Sequence, residues 1–290
     1  MAELLKGAPV AARLNEQSAA DAAALRAAGV TPTLAILRVG ERPDDLSYER
    51  GACKRCEAVG VAVRSVVLPE TVDPDTFFAS LDALNADDTV HGILLFRPLP
   101  AQLDGELARR RIRPDKDVDG CTDGSLGGVF TNTPVGFVPC TARAAMEILD
   151  YYGVSCAGKR AAVVGRSLVV GRPAAMLLTH RDATVTLCHS RTADLASATR
   201  AAEIVVVCMG RMESLDASYF APGQIVVDVG IGWNEAKGKL CGDVLFDEAE
   251  RVVSAITPVP GGVGAVTTAV LVRHVVEAAL RRTRFSEDKT

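Results

Sequence analysis

The sequence lacks any excess of positive charge: its 290 residues include 32 lysines and arginines against 36 aspartates and glutamates, a formal net charge of −4. Binding to nucleic acid or to an anionic membrane needs a concentrated basic surface, so we expect neither partner. No apolar run approaches the roughly 20 residues of a transmembrane helix. Residues 1–12 lack the basic-then-apolar order of a signal peptide. These absences predict a cytoplasmic protein.

Signatures of metal sites are missing as well. The eight cysteines are scattered, several of them within apolar stretches, which is typical of reduced core cysteines. Cys53 and Cys56 form a single C-x-x-C pair with no second pair at the spacing of a zinc site. The acidic segment 115–120 resembles half of a calcium loop, but no glutamate follows at the required position. We therefore predict no metal.

What the sequence does have is alternation of strand-like and helix-like segments, with 48% hydrophobic residues to fill a core. Predicted strands at 33–39, 61–68 and 92–96 are separated by predicted helices, which gives a βαβαβ unit with a parallel sheet. Between 97 and 139 the periodicity fades, and we expect a long functional or linking loop.

A second alternating series begins after a predicted helix at 141–152. Its strands lie near 161–164, 185–187, 204–208 and 225–229, and the series is Rossmann-like. The predicted fold class is α/β, with an N-terminal α/β domain built on a parallel sheet and a C-terminal Rossmann-like doubly wound domain. The final helix, near 267–282, is expected to pack back on the first domain, and the tail after Arg284 to fray. The predicted domains are 1–140 with 267–290, and 141–266.

A glycine turn stands at the start of the second series. The apolar run 161–164 ends at Gly165, and the stretch to Gly171 reads G-x-S-x-x-x-G. Arg172 and Pro173 then open a segment of good helix formers. Strand, turn and helix N-terminus can hold a diphosphate against backbone N–H groups. Because the spacing differs from the dinucleotide fingerprint, a tight turn in an ordinary α/β domain explains it about equally well.

The end of the next strand indicates which dinucleotide would bind. An acidic residue there accepts from a ribose 2′-hydroxyl, whereas a basic one neutralises a 2′-phosphate. This chain has Ser190 and Arg191 there and no carboxylate, and Arg166 lies in the glycine turn. The combination favours NADP over NAD, although either arginine alone would be read as a solvated surface residue.

Two further loops stand out. Asp115, Asp117 and Asp119 precede Gly120 in a segment that could bind a cation, cap a turn or hold a heterocycle rich in hydrogen-bond donors. The segment 257–264 has too many prolines and glycines for a regular element. Such backbone suits close approach to a flat ligand, and a structural turn before the final helix explains it equally well.

Eight phrases of the sequence resemble, in the same order, the motifs of the methylenetetrahydrofolate dehydrogenase/cyclohydrolase family. They are LNADDTVHGILL at 84–95, PLP at 98–100, PDKDVDG at 114–120, PCT at 139–141, VVGRSLVVGRP at 163–173, VDVGIG at 227–232, GDV at 242–244 and ITPVPGGVG at 256–264. The resemblance covers nearly the whole chain. It implies an oxidoreductase of one-carbon metabolism, with a folate domain, an NADP-binding Rossmann domain, an active site in the cleft between them, and a homodimer formed through the Rossmann domain.

The resemblance also implies the residues of the site. Tyr48 would stack on the aminobenzoate part of the folate, and Asp119 would accept from the donors of the pterin. Both are candidate catalytic residues. The implied substrate-binding residues are Tyr48, Phe96, Pro98, Leu99, Asp119, Pro260, Gly261 and Gly262. The implied cofactor-binding residues are Gly165, Arg166, Ser167, Gly171, Arg172, Ser190, Arg191, Gly230, Ile231 and Thr267.

The chain departs from the family pattern at the folate side. The family lysine, four residues after the tyrosine, is Ala52 here, and the family glutamine is Phe96, followed by Arg97. Ala265 also stands where proline is usual. Family members oxidise 5,10-methylenetetrahydrofolate to the methenyl cation and commonly hydrolyse it to 10-formyltetrahydrofolate. The lysine, held by the glutamine, is taken to transfer protons in the hydrolysis, a role that Ala52 cannot fill.

Neighbours of Ala52 offer poor substitutes. Lys54 is two residues on, roughly 200° around a helix and on the wrong face. Arg55 and Cys56 share the right face, but arginine stays protonated, and a thiol would need a lowered pKa.

We therefore hypothesise an NADP-dependent methylenetetrahydrofolate dehydrogenase with little or no cyclohydrolase activity, which passes its product to a separate methenyltetrahydrofolate cyclohydrolase. The alternatives are a bifunctional enzyme that uses another group, a redox enzyme with a different substrate, and a non-catalytic folate or nucleotide sensor.

Overall fold

The structure is a computed structural model that describes residues 1–287, with side chains described as far as Thr283. Its strands are β1 Glu3–Leu4, β2 Thr33–Val39, β3 Ala62–Leu68, β4 Gly92–Leu95, β5 Arg160–Val164, β6 Thr184–Cys188, β7 Ile204–Val207, β8 Ile225–Asp228, β9 Gly232–Asn234, β10 Lys239–Cys241 and β11 Ala255–Ile256. Its α-helices are α1 Gly7–Ala27, α2 Pro43–Val59, α3 Pro74–Ala86, α4 Gly105–Arg111, α5 Asp123–Thr131, α6 Cys140–Tyr151, α7 Gly171–Thr179, α8 Leu195–Arg200, α9 Phe246–Ala249 and α10 Gly264–Glu287. Short 3-10 helices lie at Pro114–Lys116 and Ala217–Tyr219.

The chain forms two compact units. One, called here the three-stranded unit, comprises Arg13–Val138 and the residues from Thr268 onward. The other, the six-stranded unit, comprises Met1–Ala12 and Pro139–Thr267. Residues 1–12 were predicted to belong to the first domain, and the structure differs there because β1 pairs with β11 of the six-stranded unit. That two-residue strand carries no periodic pattern from which its pairing could be read.

The three-stranded unit has the parallel βαβαβ sheet that the sequence predicts, in the order β3-β2-β4. The central strand β2 is buried at every position after Thr33, since helices cover both faces of such a sheet. Its core joins the sheet to one face of α3, through Phe77, Leu81 and Leu84. Burial of this apolar surface is the main force that holds the unit together.

The six-stranded unit is built on a fully parallel sheet in the order β1-β11-β8-β7-β5-β6. From β5 the chain crosses to β6 on one side and then to β7 on the other, so the strand order reverses next to β5. In doubly wound folds, ligands bind outside the carboxyl ends of the strands at such a switch point. The topology therefore places the candidate nucleotide site at the ends of β5, β6 and β7.

Helix boundaries follow local signals. Pro43 occupies the first turn of α2, and Gly60 ends it in the left-handed conformation, with φ 77°. The Asp73 side chain accepts a hydrogen bond from the Thr76 N–H at the start of α3. The prediction of one long loop over 97–139 was wrong, because α4 and α5 lie within it. Both are short, and Asp104 and Thr122 cap their amino ends.

The final helix returns to the three-stranded unit, as predicted, since the part of α10 from Thr268 belongs to that unit. His274 Nδ1 lies 2.8 Å from the carbonyl oxygen of Val118, and its ring contacts that of Phe137. The helix continues to Glu287, and the rest of the predicted frayed tail lies outside the described residues. Within residues 1–287, no helix combines the length and apolar character that crossing a bilayer requires.

Candidate functional site

The glycine turn after β5 brings the backbone close to the end of β7. Gly165 has a φ of 133°, and a Cβ there would collide with the carbonyl oxygen of Cys208. A Cβ at Gly171 would likewise collide with the carbonyl oxygen of Gly165. Only glycine permits both contacts, so the two glycines of the pattern allow the turn to fold tightly beneath α7.

The same turn leaves hydrogen-bond donors available. Ser167 Oγ accepts from the N–H of Val170 at 3.1 Å, which closes the turn before α7. The backbone N–H groups of Arg166 and Ser167 have no acceptor among the described residues. Free N–H groups beside a helix N-terminus can bind a diphosphate. The turn therefore fits the nucleotide role better than that of an ordinary tight turn.

The loop after β6 is held by its own side chains. The His189 N–H donates to Thr192 Oγ1 at 2.9 Å, and His189 Nδ1 accepts from the N–H of Arg191 at 3.1 Å. Ser190 lies at the tip of this turn. Because the turn contains no carboxylate, it offers no charged acceptor for a ribose 2′-hydroxyl.

The loop after β7 is held by Asp243, which was not among the predicted site residues. Asp243 Oδ2 accepts from the N–H groups of Met209 at 2.6 Å and Gly210 at 2.9 Å, and its Oδ1 accepts from the N–H of Arg211 at 2.6 Å. Asp243 is buried and lies in the GDV phrase. Asp228 fixes the backbone of Asp243 in turn, since its Oδ1 accepts from the Asp243 N–H at 3.1 Å.

These three loops enclose a cavity of about 380 Å³. Four predicted cofactor residues line it: Gly165, Arg166, Ser167 and Ser190. The lining also includes residues that were not predicted, among them His189, Thr192, Cys208, Met209 and Arg211. The only signal that could have identified Arg211 was its place just after the third strand of the series. The volume is ample for part of a dinucleotide.

The other predicted cofactor residues lie outside the lining of this cavity. Arg172 and Arg191 are exposed, and Gly171 is packed beneath the turn. Gly230 approaches Asp243 so closely that a Cβ would collide with its carboxylate carbon. Two more predicted residues lie elsewhere in the same unit: Ile231, which is largely exposed, and Thr267, in the first turn of α10.

In the three-stranded unit, the structure brings together two of the predicted folate residues. The rings of Tyr48 and Phe96 meet edge to face, with their centroids 5.9 Å apart and their planes at 83°. Tyr48 is half-buried on α2, and Phe96 is buried at the end of β4. Phe96 therefore occupies, with an apolar ring, the place where family members carry a polar amide.

Asp119 lies near the other departure from the family pattern. The Arg97 guanidinium lies 3.8 Å from its carboxylate. Partial burial, and to a lesser extent the charge of Asp117, raise the pKa of Asp119 to about 6, while Arg97 acts in the opposite direction. A carboxylate of this kind titrates close to neutral pH, which suits a group that binds or moves protons.

The remaining charges of the PDKDVDG loop are structural. The buried Lys116 donates from Nζ to the carbonyl oxygens of Leu84 at 2.9 Å and Asp87 at 2.6 Å, and so caps the end of α3. The buried Asp117 accepts from the N–H groups of Cys121 at 3.0 Å and Thr122 at 2.7 Å. Asp115 pairs with Arg113 at the surface. Of the three aspartates, Asp119 is the one left to face a ligand.

Ala52, which stands at the position of the family lysine, has no access to solvent. Ala52 is fully buried on α2, and Lys54 is exposed on another face of the helix. Burial raises the pKa of the Cys56 thiol to about 12, so it does not ionise at neutral pH. Arg55 donates from Nη1 to Asn15 Oδ1 at 3.3 Å. Neither Arg55 nor Cys56 is therefore suited to act as a base at neutral pH.

The other predicted substrate residues divide between the units. Pro98, which is exposed, and Leu99, which packs on the core, follow β4 in the three-stranded unit. Pro260, Gly261 and Gly262 belong to the six-stranded unit. There the Gly261 carbonyl oxygen accepts from the N–H of Gly7 at 2.8 Å, which fixes the loop to the start of α1.

A larger cavity, of about 620 Å³, lies at the amino ends of β2 and β4 and is lined by none of the predicted site residues. His91 and Thr33 line it, and the Thr33 N–H donates to His91 Nδ1 at 3.2 Å. Among the residues that the structure describes, no cluster of three or more histidine, cysteine, aspartate or glutamate side chains could hold a metal ion.

Two family models match the chain in tandem. The model described as tetrahydrofolate dehydrogenase/cyclohydrolase, catalytic domain, matches residues 5–119. The model described as tetrahydrofolate dehydrogenase/cyclohydrolase, NAD(P)-binding domain, matches residues 139–283. Together they span most of the chain and divide it near the boundary between the central parts of the two units.

Relatives match over almost their full length. Bifunctional protein FolD of Carboxydothermus hydrogenoformans is 50% identical over 279 residues, which cover 96% of this chain and 97% of the relative. The structure of the bifunctional enzyme FolD from Campylobacter jejuni superposes with a TM-score of 0.93 at 37% identity, and covers 97% of this chain and 100% of that one. The Trypanosoma brucei enzyme, solved with NADP cofactor and an inhibitor, has a TM-score of 0.90 at 35% identity, and covers 98% of this chain and 99% of that one.

Proposed function

Because the chain belongs to the tetrahydrofolate dehydrogenase/cyclohydrolase family, we propose that it oxidises 5,10-methylenetetrahydrofolate to the 5,10-methenyl cation with NADP. A C–H bond of the methylene bridge breaks, and its electron pair leaves with the hydrogen as hydride. NADP, when bound, supplies the nicotinamide carbon that accepts this hydride. The positive charge left on the substrate is shared by the two flanking nitrogens, so the step needs orientation and no general base.

The single observation that carries the proposal is that Tyr48 and Asp119 are retained where the family pattern has them. Tyr48 offers a half-buried ring on which the aminobenzoate part of the folate stacks. Asp119 accepts hydrogen bonds from the ring N–H and amino group of the pterin when it is ionised. These contacts orient the methylene carbon for hydride transfer.

The side chains that line the cavity favour NADP over NAD as the cofactor. Its lining carries Arg166, Ser190 and Arg211 and no aspartate or glutamate. Cationic and hydroxyl donors suit a phosphate ester, whereas a ribose 2′-hydroxyl is best bound by a carboxylate. The T. brucei relative, solved with NADP, points the same way.

We further propose that cyclohydrolase activity is weak or lost. Hydrolysis of the methenyl cation needs a group that moves protons to and from water. Ala52 cannot do so, Cys56 stays protonated, and Phe96 removes the amide that would hold a lysine. The methenyl product would then pass to a separate cyclohydrolase.

A second candidate is a bifunctional enzyme in which another group replaces the lysine. Relatives named bifunctional match the whole chain, and Asp119, with a pKa of about 6, is a base within reach of neutral pH. In that case Asp119→Asn would abolish the hydrolysis of added methenyltetrahydrofolate.

One set of assays distinguishes a dehydrogenase without cyclohydrolase activity from a bifunctional enzyme and from a non-catalytic sensor. The protein is incubated with methylenetetrahydrofolate and NADP or NAD in parallel, and folate binding is measured separately by calorimetry. We expect NADP reduction with accumulation of the methenyl species. Rapid enzyme-dependent decay of added methenyltetrahydrofolate at neutral pH would overturn the loss of cyclohydrolase. Folate binding without hydride transfer would favour a sensor and overturn the dehydrogenase.

The predicted homodimer through the Rossmann-like unit also stays a proposal. Strand β6 is an edge strand, and its Thr184, Thr186 and Leu187 are exposed. Unpaired edges with apolar side chains favour pairing with a second copy. Light scattering of the purified protein should give the mass of a dimer, and Leu187→Lys should shift it toward the monomer.

A further inference from the structure

The loop after β7 places a second cationic side chain, Arg211, on the lining of the nucleotide cavity. Strand β7 neighbours β5 on the side opposite β6, so its loop forms the wall of the cavity across from Ser190. Met209 and Arg211 line that wall. Arg211 therefore lines the same cavity as Arg166.

The backbone of this loop cannot bind an anion, because its donors are already used. The N–H groups of Met209, Gly210 and Arg211 all donate to the carboxylate of Asp243. Asp243 is 1% exposed, and its carboxylate is held in place by these three bonds. Recognition of a ligand from this side therefore depends on side chains, and Arg211 is the one that carries a charge.

Arg211 and Arg166 are both without an ion pair or side-chain hydrogen bond within residues 1–287. Most other arginines whose side chains the structure describes have an ion pair or a hydrogen bond, as Arg97 has with Asp119. Two cations that share a cavity without a carboxylate repel each other unless an anion lies between them. Guanidinium groups match the oxygens of a phosphate in two parallel hydrogen bonds, and a phosphate monoester carries up to two negative charges.

We propose that Arg211 is the second arginine that binds the 2′-phosphate of NADP, opposite Arg166, and that Asp243 positions the loop that presents it. This rests on the proposed NADP cofactor and names the residues that read it. It replaces Arg191, the partner predicted from the sequence: all three arginines are exposed, but only Arg166 and Arg211 line the cavity.

Two nucleotide probes test the proposal without folate or turnover: adenosine 2′,5′-bisphosphate, which carries the 2′-phosphate, and 5′-AMP, which lacks it. Calorimetry gives the Kd of each for the full chain and for Arg211→Gln. We expect this variant to bind the bisphosphate about 10- to 100-fold more weakly, as loss of a charge-assisted hydrogen bond implies, and 5′-AMP within about 3-fold of the parent. Arg211→Lys, which keeps the charge, should recover part of the loss.

Arg251→Gln is the matched control, since Arg251 is an exposed arginine of the same unit that lies away from the cavity. It should leave both affinities unchanged. Asp243→Asn should weaken the bisphosphate more than 5′-AMP, and a thermal melt identifies any variant that fails to fold.

Equal losses for both probes in Arg211→Gln would overturn the proposal, because that is the result of stacking on the adenine. A selective loss in Arg191→Gln, with none in Arg211→Gln, would also overturn it. Because these measurements need no catalysis, their outcome is independent of whether the dehydrogenase reaction is observed. A chain that binds the bisphosphate selectively but does not oxidise the folate would keep this inference and lose the proposed function.

Discussion

The guanidinium of Arg97 lies 3.8 Å from the carboxylate of Asp119, with about a third of each side chain exposed. The residue that departs from the family pattern is thus the ionic partner of a residue that matches it. Partial burial and Asp117 raise the pKa of Asp119, whereas Arg97 lowers it, and the balance leaves a value of about 6. The substitution at position 97 therefore tunes the group that we propose binds the pterin.

The first prediction concerns the pH profile of the dehydrogenase. Asp119 must be ionised to accept from the pterin, so kcat/KM for methylenetetrahydrofolate should fall as the pH drops below about 6. Arg97→Leu removes the cation that favours the ionised form. Its Asp119 pKa should rise, and the acid limb of the profile should move to higher pH.

Arg64→Leu is the control for this prediction, because Arg64 forms an exposed ion pair with Asp87 in the same unit. Its profile should match that of the parent. An acid limb in Arg97→Leu that coincides with the parent's, or moves to lower pH, would contradict the role given to this pair.

The second prediction concerns variants that should gain cyclohydrolase activity. In the double variant Ala52→Lys with Phe96→Gln, a lysine and its amide partner return to the positions where the family carries them. Enzyme-dependent hydrolysis of methenyltetrahydrofolate should rise about 100-fold or more, which is the usual contribution of a positioned proton-transfer group. The measurement is the rate at which the methenyl absorbance decays at neutral pH.

A variant with Ala52→Met and Phe96→Gln separates chemistry from size, because methionine has about the length of lysine without its amine. This variant should stay inactive in hydrolysis. Ala52 is fully buried, so both variants need a thermal melt to establish that they fold. Equal hydrolysis in the lysine and methionine variants would refute a role for the amine.

The third prediction separates the buried aspartate of the acidic loop, Asp117, from the exposed one, Asp115. Asp117 is fully buried, and Oδ2 accepts from Ser125 Oγ at 2.6 Å and from the Thr122 N–H. Asp117→Asn places an amide donor against these donors and should lower the free energy of unfolding by about 3 kcal/mol, measured with urea. Asp115→Asn, at an exposed ion pair, should change it by less than about 1 kcal/mol.

Affinity for NADP gives the check on Asp117→Asn. The loop belongs to the three-stranded unit and the nucleotide cavity to the six-stranded unit, so the Kd of NADP should be unchanged while kcat/KM for the folate falls. Loss of NADP affinity in a variant that still folds would be inconsistent with a local role for Asp117.

Features with local signals were the ones that could be predicted from the sequence. β2 contains the apolar run 34–37, α2 begins with proline and ends before glycine, and Gly165 follows a buried strand. Each of these depends on residues that are adjacent in the chain. That the first sheet is parallel followed from connection rules. The return of the last helix followed from its position after the last strand of the second series.

The features that could not be predicted depend on contacts between distant residues. The pairing of β1 with β11 joins positions about 250 residues apart, and two residues carry no periodicity. Asp243 holds a loop more than 30 residues earlier in the chain. A lysine in a polar loop is expected at the surface, whereas Lys116 is buried and donates to carbonyl oxygens at the end of α3. The roles of charged residues were therefore the hardest part of the site to assign.

The last prediction concerns acid stability and rests on His91. Burial, followed by the nearby charges of Arg282 and Lys116, lowers the pKa of His91 to about 4 in the folded chain, against about 6.5 when it is unfolded. Because its pKa is depressed, His91 binds a proton less well in the folded state than in the unfolded state. Protonation of this residue therefore does not lower the free energy of unfolding above about pH 6.5, and lowers it progressively as the pH falls toward 4. Between pH 7.5 and 5 this one residue should cost about 2 kcal/mol of unfolding free energy. His91→Asn, whose amide oxygen can still accept from the Thr33 N–H, should show a correspondingly smaller fall in urea titrations, and an identical fall in both proteins would sink the assignment.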